Sequence, residues 1–292
     1  MKNKMLRNGV EMPEVGFGTW KAGETDGFAV LSEAIRAGYR HIDTASAYHT
    51  EEAVGRAVAA SGVDRSEFFI TTKAWKDQLG YDRTLAAFDA SCQALGMDYL
   101  DLYLIHWPRP DAACEEWKEL DRGSWRAMEE LYRAGRVRAI GVSNFQPDRL
   151  VDLILHNEVV PAVNQVETHP FCQQTEAAAV MASEGVQIES WAPFAEGRNN
   201  LFGNEVLTDL AAKHRKSVAQ VVLRWLIQRG VVVIPKSVRP ERMAENIDVF
   251  DFHLAPEDMD LIATLDTRRS CFLSHRDPET VKWLGTMKYE MD

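Results

Sequence analysis

The chain has 292 residues, 46% of them hydrophobic, and a formal net charge of −11 at pH 7. This length and apolar content set disorder aside and allow one large α/β barrel or two ordinary domains. The acidic balance excludes general binding to nucleic acid or to an anionic membrane, because phosphate-rich partners would be repelled. Cys92, Cys114, Cys172 and Cys271 are far apart with no C-x-x-C pair, which suits reduced thiols better than a disulfide framework or a zinc site. The basic stretch from Met1 to Gly9 has no apolar segment behind it, and no window approaches membrane-spanning length. A soluble, cytoplasmic protein is expected.

Lys4 to Val15 predicts a small hairpin about Asn8-Gly9, a dipeptide suited to a tight turn. Glu14 to Phe17 follows as a strand, then a helix from about Asp26 to Ala37 with Phe28, Leu31 and Ile35 on one face and Gly38 as its stop. The same unit recurs. Strand Arg40–Asp43 leads to helix Glu51–Ala60, and strand Phe68–Lys73 to helix Thr84–Leu95. Strand Leu100–His106 leads through a polar loop to a helix near Ser124–Ala134, and strand Val137–Val142 to a helix from Pro147 to about Leu155. Strand Ala162–Val166 precedes helix Gln174–Ser183; strand Val186–Trp191 precedes a long loop and helix Val206–His214. Helix Val218–Arg229, strand Val231–Ile234 and helix Pro240–Asn246 complete the series.

Strands alternating with helices require a parallel sheet, and eight such units close a barrel. The expectation is an α/β fold, a (β/α)8 TIM barrel spanning residues 1–292 as one domain, with the hairpin over its floor. An open doubly wound sheet is disfavoured, since Gly16-Phe17-Gly18 lacks the third glycine of a dinucleotide fingerprint.

Three of these strands end in residues that carry chemistry. Asp43 closes one, with Tyr48 in the loop five residues later; Lys73 and His106 close the next two. Parallel strands of a barrel bring all four to its C-terminal mouth. Carbonyl reduction needs a hydride donor at carbon and a proton donor at oxygen. An unperturbed tyrosine is a poor acid at neutral pH, and a nearby cation such as Lys73 is expected to lower its pKa. Asp43 would hold Lys73 charged, and His106 would orient the carbonyl oxygen and stabilise a developing alkoxide. An ordinary ion pair, a packed tyrosine and a satisfied histidine would explain each residue singly; their shared position at three strand ends favours a site.

Several blocks in order carry a family resemblance: Gly16-Phe17-Gly18-Thr19-Trp20, His41-Ile42-Asp43-Thr44-Ala45 with Tyr48, Leu102 to Pro108, Gly141-Val142-Ser143-Asn144-Phe145 and Ile234-Pro235-Lys236-Ser237. Along essentially its whole length the chain resembles the aldo-keto reductases, and among them bacterial members related to diketogluconate reductases. The resemblance implies NADPH-dependent reduction of aldehydes or ketones by transfer of the 4-pro-R hydride, without a metal. Asp43, Tyr48, Lys73 and His106 would be the catalytic tetrad, with Tyr48 as general acid. Ser143, Asn144 and Gln165 match residues that bind the nicotinamide carboxamide, and Trp191 the residue that stacks on the ring. Gly18, Thr19, Trp20 and Asp43 also fall at cofactor positions. Lys236, Ser237, Val238, Arg239 and Arg242 match the 2′-phosphate site, which favours NADPH over NADH, with Glu245 and Asn246 at the adenine positions. An exposed helix start beside such cations suits phosphate on physical grounds too, although a solvated charge cluster is the ordinary explanation of such residues.

Trp20, Trp75 and Trp107 lie shortly after strand ends and are expected, with Tyr48 and His106, to wall an apolar substrate pocket. A C-terminal tail with Phe272, His275, Arg276 and Trp283 matches a family segment near the substrate mouth. The loop from Ala195 to Asn204 could close over the cofactor's pyrophosphate or remain a disordered surface loop. His41 and His49 flank Asp43, but His41 alternates away from Asp43's neighbours along the strand, so no metal triad is read there. The run Lys213–Lys216 is read as helix-dipole placement. A barrel glycosidase using Glu167 and Glu189 leaves Tyr48 and Lys73 unexplained. A non-catalytic NADPH-binding subunit, like the potassium-channel β-subunit branch of the family, is the non-enzyme alternative. The partner expected is a small carbonyl compound, and the chain is expected to act as a monomer.

Overall fold

A computed structural model of the chain describes residues 2–24, 26–108, 116–274 and 277–286. β1 (Asn3–Met5) and β2 (Glu11–Pro13) pair antiparallel about a turn in which Gly9 adopts φ 83°. From this hairpin Leu6 and Met12 pack against Phe69, Leu102, Ala139, Val163 and Val232, sealing the barrel floor as expected.

Eight strands follow: β3 (Phe17–Gly18), β4 (His41–Asp43), β5 (Phe69–Ala74), β6 (Leu100–Ile105), β7 (Val137–Ser143), β8 (Val163–Glu167), β9 (Gln187–Trp191) and β10 (Val232–Val233). They pair in parallel in chain order, β3 through β10. A parallel bridge joins Val15 to Val233. Gly16 N donates to Val233 O at 2.8 Å, and Val233 N donates to Glu14 O at 3.0 Å. These bonds close the sheet into the (β/α)8 barrel, which leaves no free edge. The first strand is thus displaced from the predicted Glu14–Phe17: the earlier residues serve the seam, and regular pairing with β4 begins at Phe17.

The helices are α1 (Gly27–Ala37), α2 (Glu51–Ala60), α3 (Tyr81–Leu95), α4 (Trp117–Arg133), α5 (Pro147–Leu155), α6 (Thr175–Ser183), α7 (Glu205–His214), α8 (Val218–Gln228), α9 (Pro240–Ile247), α10 (Pro256–Ala263) and α11 (Pro278–Thr286). Their ends follow local chemistry. Asp26 accepts from Ala29 N at 3.1 Å to start α1, and Gly38 ends it with φ 108°. Ser217 and Gln220 form a reciprocal capping box on α8.

Two helices start earlier than their apolar spacing suggests. α3 begins behind Gly80, whose N–H is taken by Ser124 Oγ at 2.8 Å. The charged first turns of α4 are held by Asp121, which accepts from Arg149 at 3.2 Å. α10 and α11 were not anticipated, because short polar helices begun by proline show little periodicity. α10 also revises the reading of the basic run, since Asp258 accepts from Lys213 at 2.6 Å and from His214 at 2.8 Å. The segment Ala195–Gly203 winds as 3₁₀ turns interrupted by left-handed residues, with Ala195 and Leu201 buried. His275, Arg276 and Cys114 lie outside the described residues.

Candidate active site

Asp43, Lys73, His106 and Gln165 are all at most 5% exposed, from β4, β5, the end of β6 and β8. Burying ionisable groups is unfavourable unless they are paired, and these are. Lys73 Nζ donates to Asp43 Oδ1 at 2.6 Å and to Thr44 O at 2.9 Å. Its ammonium also lies 4.9 Å from the Tyr48 ring centroid. Tyr48 Oη and His106 Nε2 are 3.2 Å apart. Tyr48 is only half-buried, so the phenol is the member of the four open to a substrate. The four predicted residues therefore meet at one place.

Charge states follow from the surroundings. Burial pushes Lys73 down, but Asp43, Tyr48 and Glu189 outweigh it and leave the ammonium raised; it is the cation of the site, with Asp43 as its counter-ion. Burial pushes His106 well below the ordinary histidine value, and Lys73 adds to this, so the imidazole is neutral. Its Nδ1 is buried with no hydrogen-bond partner among the described residues. A bare ring nitrogen tolerates that better than an orphaned N–H, which assigns the proton to Nε2. Tyr48 departs from expectation. Burial raises its pKa, Lys73 opposes this, Asp43 adds to it, and the net direction is up. The phenol therefore keeps its proton at neutral pH, and Lys73 makes giving it up less costly than burial alone would.

Two of the three tryptophans expected at the mouth stand against these residues. The Trp20 and Tyr48 ring centroids are 4.9 Å apart, as are those of Trp75 and His106. Trp20 is 48% exposed, whereas Trp75 is only 9% exposed; it backs His106 and does not line an open rim. Trp107 is partly exposed.

Beside the four lies a polar ledge. Ser143 Oγ donates to Gln165 O at 2.8 Å, and Asn144 Nδ2 donates to His106 O at 3.0 Å. Trp191 Nε1 donates to Asn144 Oδ1 at 2.9 Å. Gln165 lies inside β8 and not at its end; its Nε2 donates to Asp43 Oδ2 and Glu189 Oε2, each at 2.8 Å. Thr19, Thr50 and Thr44 form a buried hydroxyl chain with links of 2.9 and 2.8 Å. Across the mouth, Lys236, Arg239 and Arg242 are exposed at the start of α9, without an acidic partner among the described residues, around Ser237. Val238 is 42% exposed, and Asn246 is buried on the same helix. Unpaired cations at a helix start fit a phosphate group, and a half-buried indole with amide groups beside it fits a nicotinamide; the residues present suit NADPH.

Two other features surround the four residues. His41 shares the interior face with Asp43, because residues two apart on a strand point the same way; Glu189 joins it there. The signal was in the sequence, as polar residues at inward positions of strands. Glu167, also considered as a glycosidase acid, accepts from His169 Nε2 and Cys271 N, each at 2.8 Å, and from Ser270 Oγ. It latches the C-terminal segment and faces no cleft. The ligand atoms of Glu167, His169 and Cys271 lie within 4.8 Å of one another. However, His169 Nδ1 accepts from Phe171 N at 3.2 Å, so Nε2 holds the proton that a metal would have to displace. Phe272 meets the Trp191 ring edge-on at 5.2 Å, and Arg198 lies over Phe272 at 4.3 Å; the tail and the Ala195–Gly203 segment thus meet beside Trp191. Among the described residues no helix is long and apolar enough to cross a membrane.

Comparison with known proteins agrees with this geometry. The chain is 50% identical over 262 residues to a glyoxal reductase of Bacillus subtilis, covering 89% of this chain and 91% of that protein. It is 44% identical over 261 residues to the methylglyoxal reductase DkgA of Escherichia coli, covering 89% and 92%. A crystal structure of a Bombyx mori aldo-keto reductase in complex with NADP superposes with a TM-score of 0.85 at 35% identity, over 97% of this chain and 96% of that one. Residues 14–267 match the model of the aldo/keto reductase family, and the chain belongs to that family.

Proposed function

We propose that Tyr48 is the general acid of NADPH-dependent carbonyl reduction by this protein, with Lys73, Asp43 and His106 as its partners. One observation carries the reading: a protonated, half-buried phenol lies 3.2 Å from a neutral imidazole and beside a buried Lys73–Asp43 pair. Bound NADPH supplies the hydride taken up at the carbonyl carbon. Tyr48 breaks its O–H bond and gives the proton to the carbonyl oxygen, so that the aldehyde or ketone leaves as an alcohol. The Lys73 ammonium offsets the phenolate charge until a proton returns from solvent. His106, with its proton on Nε2, donates to the same carbonyl oxygen and fixes its approach. Asn144 and Trp191, linked to each other and to His106, offer a ring face and amide groups to the nicotinamide, with Ser143 and Gln165 alongside. Lys236, Arg239 and Arg242 would hold the 2′-phosphate of the cofactor.

Small reactive aldehydes, glyoxal and methylglyoxal among them, are the substrates we favour. The names of the two bacterial relatives and the tight aromatic surround of Tyr48 support this. The protein would act as a single-domain monomer in the cytoplasm. NADPH oxidation by wild type and Tyr48→Phe, followed with glyoxal, methylglyoxal, keto-sugars and diketo acids, tests the reading. Removing the proton donor should lower kcat by about 10²–10⁴-fold while NADPH still binds. Unchanged turnover in the variant would sink the assignment, and no turnover by wild type on any carbonyl would favour an NADPH-binding subunit.

A further inference from the structure

A chain of buried polar groups runs from the barrel floor to the Asp43–Lys73 pair, and the chemistry above leaves most of it unused. His41 Nδ1 lies 3.3 Å from Pro13 O, so Nδ1 carries a proton and donates to that carbonyl. His41 Nε2 faces Glu189 Oε1 at 3.5 Å, and neither atom has a hydrogen-bond partner among the described residues. Glu189 Oε2 accepts from Gln165 Nε2, whose second N–H goes to Asp43 Oδ2. Gln165 and Glu189 stand directly opposite in the pairing of β8 with β9. His41 and Glu189 are fully buried, and Gly16 makes room for the imidazole: a Cβ there would come within 2.6 Å of His41 Nδ1.

Two bare acceptors would face each other between His41 and Glu189 unless a proton lies between them. Burial holds His41 down to about 3, with Lys73 adding to the repulsion of an imidazolium. Burial raises Glu189 to about 8, and the charge of Asp43 adds to it. The ionisable groups that act on Glu189 and His41, or feel Glu189, are Asp43, Lys73 and Tyr48. Lys73 is already committed to Asp43, so a second carboxylate charge would lack a cation of its own. A neutral Glu189 satisfies every link, donating to His41 and accepting from Gln165. Both N–H groups of Gln165 are then used, which leaves its carbonyl oxygen as the amide's remaining hydrogen-bonding group.

We propose that Glu189 is a positioning residue: as a neutral acid bridging His41 and Gln165, it fixes the Gln165 amide with its carbonyl available to the cofactor's carboxamide. It also leaves Asp43 as the sole carboxylate charge in the layer beneath Tyr48. The part concerning the carboxamide rests on the function proposed above; the protonation of Glu189 does not. When Glu189 ionises, the added negative charge raises the Tyr48 phenol and weakens it as an acid, so turnover falls. Glutamine reproduces the neutral acid, with an N–H for His41 and a carbonyl for Gln165.

The test uses the purified full-length chain. Infrared difference spectra of wild type against E189Q near neutral pH should contain the carbonyl stretch of one carboxylic acid, shifted in D2O and lost as pH rises past about 8. A carboxylate band there at neutral pH would overturn the proposal. With methylglyoxal and saturating NADPH, kcat of E189Q should stay within about threefold of wild type near neutral pH and lose the decline that wild type shows above about pH 8. A loss of about tenfold or more in folded E189Q at neutral pH, or an unchanged alkaline decline, would equally overturn it. Should E189Q fail to fold, the pH-difference spectrum of wild type alone decides the protonation state. Absence of turnover in both proteins would remove the function proposed above, while the infrared result and an NADPH-binding titration would still decide the role of Glu189.

Discussion

Trp191 donates its indole N–H to Asn144 Oδ1 at 2.9 Å, joining the ends of β9 and β7 across 47 residues of sequence. Asn144 reaches this position with φ 63°, a left-handed conformation that asparagine tolerates better than most residues. Its amide nitrogen holds the backbone carbonyl of His106, so one side chain ties the indole to the main chain of the residue whose ring lies beside Tyr48. Trp191→Phe keeps a ring but leaves the buried Oδ1 of Asn144 unpaired, a cost of about 1–3 kcal/mol. NADPH affinity should therefore fall by about tenfold or more, and kcat should fall with it as Asn144, which holds the His106 backbone, loses its anchor. Fluorescence titration and steady-state kinetics measure both. A variant with normal affinity and normal kcat would show that the tie is incidental.

The Lys73–Asp43 pair is fully enclosed, so removing one partner leaves an uncompensated group in the core. Lys73→Met should destabilise the fold by about 3–5 kcal/mol, read by urea denaturation, and should reduce kcat as Tyr48 loses the cation that opposes its raised pKa. A loss of activity with no change in stability would mean that solvent reaches Asp43 more freely than its burial indicates.

Three cations without acidic partners among the described residues stand at the start of α9. Replacing Arg239 or Arg242 with Ala should weaken NADPH by about tenfold each and leave NADH almost unaffected. Added salt should erode NADPH binding in wild type more than in the variants, because exposed charges are screened. Equal losses for both cofactors would reassign these residues away from the 2′-phosphate.

His41 and Glu189 should make stability change with pH in opposite directions, so that acid and alkali each lower it. His41 is held down to about 3, below the ordinary value of about 6.5. The unfolded chain takes up that proton first, so this contribution is full above about pH 6.5 and is lost as pH falls toward 3. Glu189 is raised to about 8, above the ordinary value of about 4.3. Its contribution is full below that ordinary value and is lost as pH rises through 8. Each group changes stability by up to about 1.4 kcal/mol per pH unit within its window. Urea denaturation of E189Q should show a flatter decline than wild type between about pH 6.5 and 8, where His41 no longer titrates; parallel curves would place Glu189 outside the titrating set.

Much of this protein was legible before any tertiary contact was considered. Alternating apolar runs and helical spacings specify eight β–α units, and the parallel geometry they require sends Asp43, Lys73 and His106 to one mouth. The seam between Val15 and Val233 and the short proline-started helices α10 and α11 were not visible, because neither depends on local periodicity.

The site divides in the same way. Residue types at strand ends pointed to Tyr48 and its partners, but the direction of its pKa was misjudged. A sequence names the cation near a phenol; it does not say how much water both have lost. Nor could it bring together His41, Glu189 and Gln165, which become buried neighbours only when β4, β8 and β9 curl around a common interior. Strand order and side-chain parity are local properties and can be read from the chain. Distance across the barrel, and the burial that decides which of these groups carries charge, arise only when the sheet closes.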